Sequence, residues 1–352
     1  MHVVVCGAGV IGAATAYFLS KLGAQVTVLE RTGVACASSG KAGAFLALDW
    51  CGGPLDALAR RSYRLHAQLV DEIGDDWGYQ TVSTYGAYTM IGPGTRRAAG
   101  LSWLSDRVAV TSQIGSTDTT AMVHPRLLTE ALIRAAQGQG ADLRIGQVSG
   151  VLRDATGAMA TGVRLADGRR VEADAVVIAM GPWSALAANW LPLPGVRAYK
   201  GHSLIFETGD SIPPEALFLE HRAASGNILT PEFFPRADGT TYVAYSSVQD
   251  ALPADPADVR PDASALEQLE AVCEQVSPAL SREAILTRQA CYRPVTGDGL
   301  PLIGRVPGVD GAYVATGHSV WGVLNGPATG EAMAELIVDG AAHTTNLRPY
   351  DP

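Results

Sequence analysis

The stretch that most restricts this fold is the first thirty residues, which read as strand, glycine turn, helix and second strand. Val3-Val4-Val5-Cys6 is a run suited to a buried strand, and Gly7-Ala8-Gly9-Val10-Ile11-Gly12 fits G-x-G-x-x-G. Ala13 to Leu22 carries helical spacing, Gly23 can end that helix, and Ala24 to Leu29 is a second apolar strand closed by Glu30. The spacing has a physical meaning. Gly7 allows the tight turn, Gly9 lets backbone approach a pyrophosphate, and Gly12 lets helix and strand pack closely. The helix N-terminus then faces the phosphate charge, and Glu30 is placed to accept ribose hydroxyls. A lone glycine motif is weak evidence. This one follows a strand, opens a helix and has its acid at the right distance, so the chain is expected to bind a dinucleotide. Val10 and Ile11, inside the motif, are counted with the glycines as cofactor-binding residues.

At 352 residues the chain is too long for one small core and suits two packed domains. Hydrophobic residues make up 47% and charged residues 17%, the balance of a well-buried globular protein. A net charge of −9, with no Lys/Arg cluster, argues against binding nucleic acid or an anionic membrane. The cysteines are Cys6, Cys36, Cys51, Cys273 and Cys291, odd in number and widely spaced. No pair has metal-ligand spacing, so no metal is expected and a reducing compartment is the simpler reading. No apolar run approaches a membrane span. The first strand starts at residue 2 or 3 and leaves no room for a signal or transit peptide, so the cytoplasm is the expected location. The oligomeric state is not legible.

After Glu30 comes a small, polar, glycine-rich stretch, Arg31 to Ala44. Such a loop inside a compact domain is usually functional. Small side chains would let its backbone line a flat ligand, with Ser38 and Ser39 donating to phosphates. Residues 54–73 read as an amphipathic helix, and 79–92 as strands, from Tyr79 to Val82 and from Tyr85 to Ile91. Pro125 opens a helix through Ala136, with His124 an ordinary residue at its start. Ala141 to Ile145 is a strand, two edge-like strands flank Asp167-Gly168, and Ala175 to Ala179 is a buried strand ending in Met180-Gly181-Pro182-Trp183-Ser184. Residues 196–250 alternate as antiparallel strands of a second sheet, and a loop over 253–263 precedes a helix from Ser264 to Val276. Ala290 to Gly304 is glycine-rich and precedes a strand, Ala312 to Thr316. Gly317 to Pro327 then leads into a final helix, Ala328 to Val338, with Pro327 near its start.

One nucleotide motif stands at the N-terminus, and two later strands also end in bare glycine. A large cofactor threaded through several segments suggests FAD. No second G-x-G-x-x-G is present, so no separate NAD(P)H domain is expected. The chain resembles the D-amino-acid oxidase superfamily of FAD-dependent oxidoreductases, the group that includes glycine oxidase and monomeric sarcosine oxidase. The likeness runs nearly end to end. It rests on the N-terminal motif with Glu30-Arg31, on Ala37-Ser38-Ser39-Gly40-Lys41-Ala42-Gly43 and on His124-Pro125-x-x-Leu128-Thr129. It also rests on Val176 to Ser184, Lys200-Gly201-His202, Arg293-Pro294-x-Thr296-x-Asp298 and Gly317-His318. The stretch Gly317 to Gly330 is most similar to a less characterised branch found in plants and fungi.

The resemblance implies an α/β plus α+β architecture. A Rossmann-like FAD-binding domain (1–80, 141–195 and 296–352) would pair with a substrate domain (81–140 and 196–295) built on a mixed, largely antiparallel sheet. Gly7, Gly9 and Gly12 would cradle the pyrophosphate, and Glu30 would hold the ribose. Arg31, Ser38, Ser39, Lys41 and Ala42 would follow the phosphates toward the flavin. Val148 would pair its backbone with adenine, and Gly181 and Trp183 would line the adenosine side. Gly317, His318, Trp321, Gly322, Val323 and Leu324 would meet the isoalloxazine.

The implied reaction is oxidation of a C–N bond in an amino acid or small amine. A hydride passes to flavin N5, the imine hydrolyses and the electrons go to O2. Arg293 is expected to clamp the substrate carboxylate, since its planar fork matches a carboxylate bidentately. Lys200 and His202 lie on a strand that could reach the site or simply be exposed. Cys291 stands where sarcosine-oxidase-like relatives bond the flavin, so a thioether there is one reading and a small buried residue the other. Val320 and Trp321 stand where relatives often carry Lys or Arg, and Trp321 is read as a pocket wall over the ring. Two alternatives stay open: a dehydrogenase using another acceptor, and a flavin-bound assembly or trafficking factor.

Overall fold

The computed structural model describes residues 1–89, 101–223 and 226–352. β1 (His2–Cys6) runs into α1 (Val10–Lys21) and β2 (Gln25–Glu30). A one-turn helix, α2 (Ser38–Lys41), interrupts the loop after Glu30 and leads to β3 (Phe45–Ala47). Then come α3 (Leu55–Ile73), β4 (Gln80–Thr81), β5 (Ser83–Thr89), β6 (Val108–Gly115) and β7 (Thr120–Met122). Met90 and Ile91, expected in the strand of β5, lie outside the described residues. α4 (Pro125–Gly138) precedes β8 (Asp142–Ile145), β9 (Val148–Arg153), β10 (Ala160–Leu165), β11 (Arg170–Glu172) and β12 (Ala175–Ile178). β13 (Arg197–Glu207), β14 (Glu215–Arg222), β15 (Ile228–Leu229), β16 (Glu232–Pro235) and β17 (Thr240–Gln249) follow. α5 (Ala263–Val276), β18 (Ile285–Val295), β19 (Leu302–Arg305), β20 (Ala312–Thr316) and α6 (Gly322–Val338) complete the chain.

Two large sheets organise these elements. The first has the order β19-β20-β12-β1-β2-β8. All its pairs are parallel except β19 with β20. Both of its faces are covered, which is why Val3, Val4, Val5 and Val176 to Ile178 read as continuous apolar runs. α1 packs against α6 and α4 on one face. That contact is close because glycines carry it: a Cβ on Gly330 would sit 2.5 Å from the Ala14 carbonyl carbon.

The second sheet has the order β18-β13-β17-β16-β14-β5-β6, with β15 beside β14. It is mixed, because β14 runs parallel to β5 while its other pairs are antiparallel. Its two faces differ in role. Leu204, Phe206, Leu217, Phe233 and Val243 point one way and bury against Leu269, Val272 and Val276 of α5. Ile205, Phe234 and Tyr242 point the other way, toward Phe45 and Met122. Period-two alternation therefore gives the sheet one core face and one inner face.

The last helix starts earlier than the sequence suggests. α6 begins at Gly322, not Ala328, so Pro327 lies inside it. Proline has no N–H, so the Val323 carbonyl one turn back loses its helical donor. α3 repairs the break. His66 Nε2 lies 3.1 Å from the carbonyls of both Val323 and Leu324, and Ser62 Oγ accepts the Ala328 N–H at 3.0 Å.

His66 is fully buried, and burial lowers its pKa from 6.5 to about 4 against the pull of these carbonyl bonds. The folded state thus favours neutral His66, while the unfolded chain protonates it below its ordinary pKa. The stability this contributes is full above that pKa and is lost as pH falls toward the folded value, a change of about 3 kcal/mol. Thermal denaturation between about pH 7 and about pH 4.5 should therefore show a falling melting temperature. His66→Gln, which keeps a donor without the titration, should show a smaller fall.

Candidate active site: a cofactor cleft against an aromatic wall

The cleft opens at the carboxyl ends of β1 and β12, where the doubly wound sheet changes direction. Gly7 turns there with φ +109°, and a Cβ on it would lie 2.4 Å from the Ala179 carbonyl oxygen. A Cβ on Gly12 would lie 2.0 Å from the Gly7 oxygen. The turn thus needs glycine at both places for close approach of backbone to backbone. Gly9 caps α1 without a side-chain bond. Ser39 Oγ accepts the Val10 N–H at 2.9 Å, while the amides of Ile11 and Gly12 find no acceptor among the described residues. Open amides at a helix N-terminus suit a phosphate. Glu30 accepts the Ala8 and Thr32 amides at 2.8 and 2.9 Å, which fixes its carboxylate at the cleft edge.

One cleft gathers most of the residues singled out from sequence. Gly7, Gly9, Val10, Ile11, Glu30, Arg31, Ser38, Ser39 and Ala42 line it, as do Val148, Gly181 and Trp183. Gly317, His318, Gly322 and Val323 line it too. Ser319, also on the wall, holds a left-handed φ of +50°, a conformation that costs a non-glycine residue about 1 kcal/mol and gathers at functional sites. His318 is buried with its Nε2 3.0 Å from the Thr329 hydroxyl, and its Nδ1 is buried without a partner among the described residues. Burial lowers its pKa to about 3 and keeps it neutral.

Other predicted residues stand off the cleft wall or commit their polar groups to protein partners. Gly12 lies beneath it, and Leu324 turns into the core with Val323 and Ala328. Arg31, although on the wall, bonds the Ala254 carbonyl at 2.6 Å and the Asp255 carboxylate at 3.0 Å. Lys41 Nζ donates to the Ala290 carbonyl at 3.2 Å, and Ser38 donates to the Tyr292 carbonyl. Lys200 and His202 are neither exposed nor directed at the cleft. They flank Gly201 on the α5 side of β13, where Lys200 pairs with Asp262 at 2.7 Å and His202 Nε2 accepts the Asp262 amide at 3.0 Å. They anchor the start of α5.

Cys291 and Arg293 share the inner face of β18, in register with Gly201 and Tyr199 of β13. Val295, two residues on, bridges to His318, so this strand end meets the cleft directly. The Arg293 guanidinium makes no ion pair or hydrogen bond among the described residues. Burial raises the Cys291 thiol, with Lys41 and Arg293 opposing. Trp321 packs against the aromatic cluster of Phe45, Phe234 and Tyr242. Phe234 stacks on Phe45 at 5.2 Å and on Tyr242 at 6.2 Å, and Trp50 and Phe218 close the group at 5.0 Å from each other. Arg236 lies 5.4 Å over the Tyr242 ring and donates to the Ala42 carbonyl at 3.0 Å.

The sequence reading missed this wall, and it missed Glu232 within it. The signal was present in Glu232-Phe233-Phe234-Pro235: alternation that turns Phe234 inward turns Glu232 inward as well.

A doubly wound sheet with a glycine turn, an acid at the second strand and a cleft against a second sheet defines a dinucleotide-dependent enzyme architecture. The open amides, the bare Gly9 and the unpartnered His318 nitrogen fit a large, flat dinucleotide such as FAD. The chain belongs to the DAO family of FAD-dependent oxidoreductases, whose model matches residues 2–336. It is 29% identical to glycine oxidase of Pseudomonas putida, across 100% of this chain and 98% of that protein. It is 28% identical to a putative oxidoreductase of Schizosaccharomyces pombe, across 100% of this chain and 97% of that one. The crystal structure of glycine oxidase from Geobacillus kaustophilus superposes with a TM-score of 0.81 at 24% identity, over 99% of this chain and 97% of that one. Iminodiacetate oxidase from Chelativorans gives the same TM-score at 23% identity, over 99% and 98%. Those two likenesses concern the fold. The protein is therefore an FAD-dependent oxidoreductase related to glycine and amino-acid oxidases. Among the described residues no helix is long and apolar enough to cross a membrane, and no group of His, Cys, Asp and Glu could hold a metal.

Proposed function

We propose that this protein oxidises the C–N bond of a small amino acid, with dioxygen as the final electron acceptor. FAD would supply the two-electron acceptor for that bond, as cofactors carry such chemistry generally. The observation that carries the reading is Arg293. Its guanidinium stands without a counter-ion partner on the inner face of β18, two residues from the bridge to His318. A planar cation left open beside the cofactor cleft suits a substrate carboxylate. Holding that carboxylate would fix the neighbouring C–N bond against the cleft, the positioning contribution to catalysis. Trp321, Trp50 and Phe218 would exclude water and limit substrate size. Gly7, Gly9, Ile11 and Gly12 would hold the pyrophosphate, and Glu30 the ribose. We take the FAD to be held without a covalent bond. Cys291 is not part of the cleft lining, and burial keeps its thiol protonated and a poor nucleophile.

The test is anaerobic mixing of the yellow holoprotein with a panel of amino acids and amines. One or more small amino acids should bleach the flavin band near 450 nm (a general flavin property, roughly placed), and readmitted oxygen should yield peroxide. No bleaching by any of them would overturn the reading. Bleaching without peroxide would favour a dehydrogenase.

A further inference from the structure

Glu232 is an inward-facing, half-buried carboxyl group for which neither the fold nor the clamp has a use. It opens β16 in register with Phe218 of β14 and Ala244 of β17. Ala244 in turn pairs with Ser203, and Ser203 with Gln289, so the row ends on the face of β18 that carries Cys291 and Arg293. Glu232 and Arg293 therefore project from the same inner face of one sheet. They are close enough for Arg293 to pull the Glu232 pKa down, yet no ion pair within 4.0 Å joins them. The Glu232 carboxylate makes no hydrogen bond among the described residues, although it is only partly exposed.

A structural ion pair would close that gap, because a buried carboxylate without partners is costly. An open carboxylate and an open guanidinium on one wall match a molecule that carries both signs. The wall also touches the cofactor loop. A Cβ on Gly43 would lie 2.6 Å from the Phe234 ring and 2.9 Å from the Tyr242 ring. Phe234 is the next residue along the face from Glu232.

We propose that Glu232 is the proton acceptor for the substrate's ammonium group. This rests on the reading of the site as one for amino acids. With the substrate carboxylate at Arg293, one N–H bond of the ammonium breaks and an O–H bond forms at a Glu232 carboxylate oxygen. The substrate is left as the neutral amine, its lone pair free, and Glu232 as the carboxylic acid. No electron changes hands in this step. Amino acids reach a neutral solution almost wholly as ammonium ions, so a site that needs the amine gains from a base beside it.

The surroundings suit the task. Burial lifts Glu232 to about 7, with Arg293 opposing. On the inner face of β17 the titratable group among the described residues is Tyr242, which burial pushes far above neutral pH. Arg236, just past the end of β16, engages the Tyr242 ring. β14 turns Phe218 toward Glu232, and Phe45, Trp50 and Trp321, which do not ionise, complete the cluster.

The experiment is anaerobic flavin reduction in holoprotein, wild type against Glu232→Gln and Glu232→Asp, across pH. At neutral pH Glu232→Gln should slow reduction about 100-fold. Near pH 10, where the free amine predominates in solution, the deficit should shrink to about threefold or less. Glu232→Asp should recover part of the neutral-pH rate. A deficit equal at every pH, or none, would overturn the proposal. If Glu232→Gln fails to hold FAD, the wild-type profile decides. It must lose its rate as pH falls through about 7, and a flat profile overturns the proposal. If no amino acid bleaches the wild type at any pH, the functional reading fails and takes this role with it. Bleaching of the wild type with matched variant profiles sinks Glu232 alone.

Discussion

Arg293→Leu should give a folded, yellow protein that amino acids reduce about 100-fold more slowly, or worse. Truncating one partner of a desolvated charge pair costs about 2–5 kcal/mol, and each 1.4 kcal/mol is about a factor of ten. FAD content should stay at the wild-type level, because Arg293 is not part of the cleft lining and bonds none of its residues. Substrate selectivity should change along with the rate. An amine lacking the carboxylate gains nothing from the guanidinium, so its slower reduction should be nearly unaffected. Arg293→Lys should recover little, since a point charge does not reproduce the two-pronged contact. Equal losses for amino acids and simple amines would show that Arg293 shapes the wall and does not read the substrate.

Gly12→Ala is expected to act on the fold first. The added Cβ would sit 2.0 Å from the Gly7 oxygen, and both sides of that contact are backbone. Neither can swing away, so α1 must lift from β1 or the turn must open. Either change costs about 3 kcal/mol, the upper range for overpacking, and displaces the open amides at the start of α1. Gly9→Ala makes the contrast. Its Cβ would lie 3.0 Å from Ser39 Oγ, a side-chain atom that need give way by only a few tenths of an ångström and can keep its bond to the Val10 amide. That variant should melt close to wild type as apoprotein yet retain FAD at least tenfold less well, because its methyl group stands where a pyrophosphate would approach. Melting curves with and without added FAD separate the two outcomes.

These contrasts show why one half of the molecule was easier to read than the other. The nucleotide motif is a local device: strand, turn, helix and acid all lie within one stretch, and each residue's role follows from spacing. The aromatic wall is assembled by register between distant strands. By sequence β18 reads as part of a glycine-rich run, because Pro294 and the glycines after it mask the alternation of Gln289, Cys291 and Arg293. Lys200 and His202 lie on a strand whose two faces differ, and only the bonds to Asp262 show which face is theirs. The start of α6 was misplaced for a related reason. Pro327 marks a helix start by local rules, and the partners that let it sit inside a helix, Ser62 and His66, come from α3. Glu232 needed knowledge of which way β16 faces before its isolation meant anything.

β18 also bears on how the enzyme can move. Its whole length is paired to β13, its end bridges to His318, and its Ala290 and Tyr292 carbonyls accept bonds from Lys41 and Ser38 of the cofactor loop. The strand is thus stitched to both halves of the molecule. A hinge that swung the two sheets apart would break all of these connections together, which is an expensive way to admit a small substrate. With that frame intact, entry and product release would fall to short segments at the rim. Turnover in such an enzyme answers to local opening, and changes that loosen the rim should alter release rates while leaving the spectrum of the bound flavin unchanged.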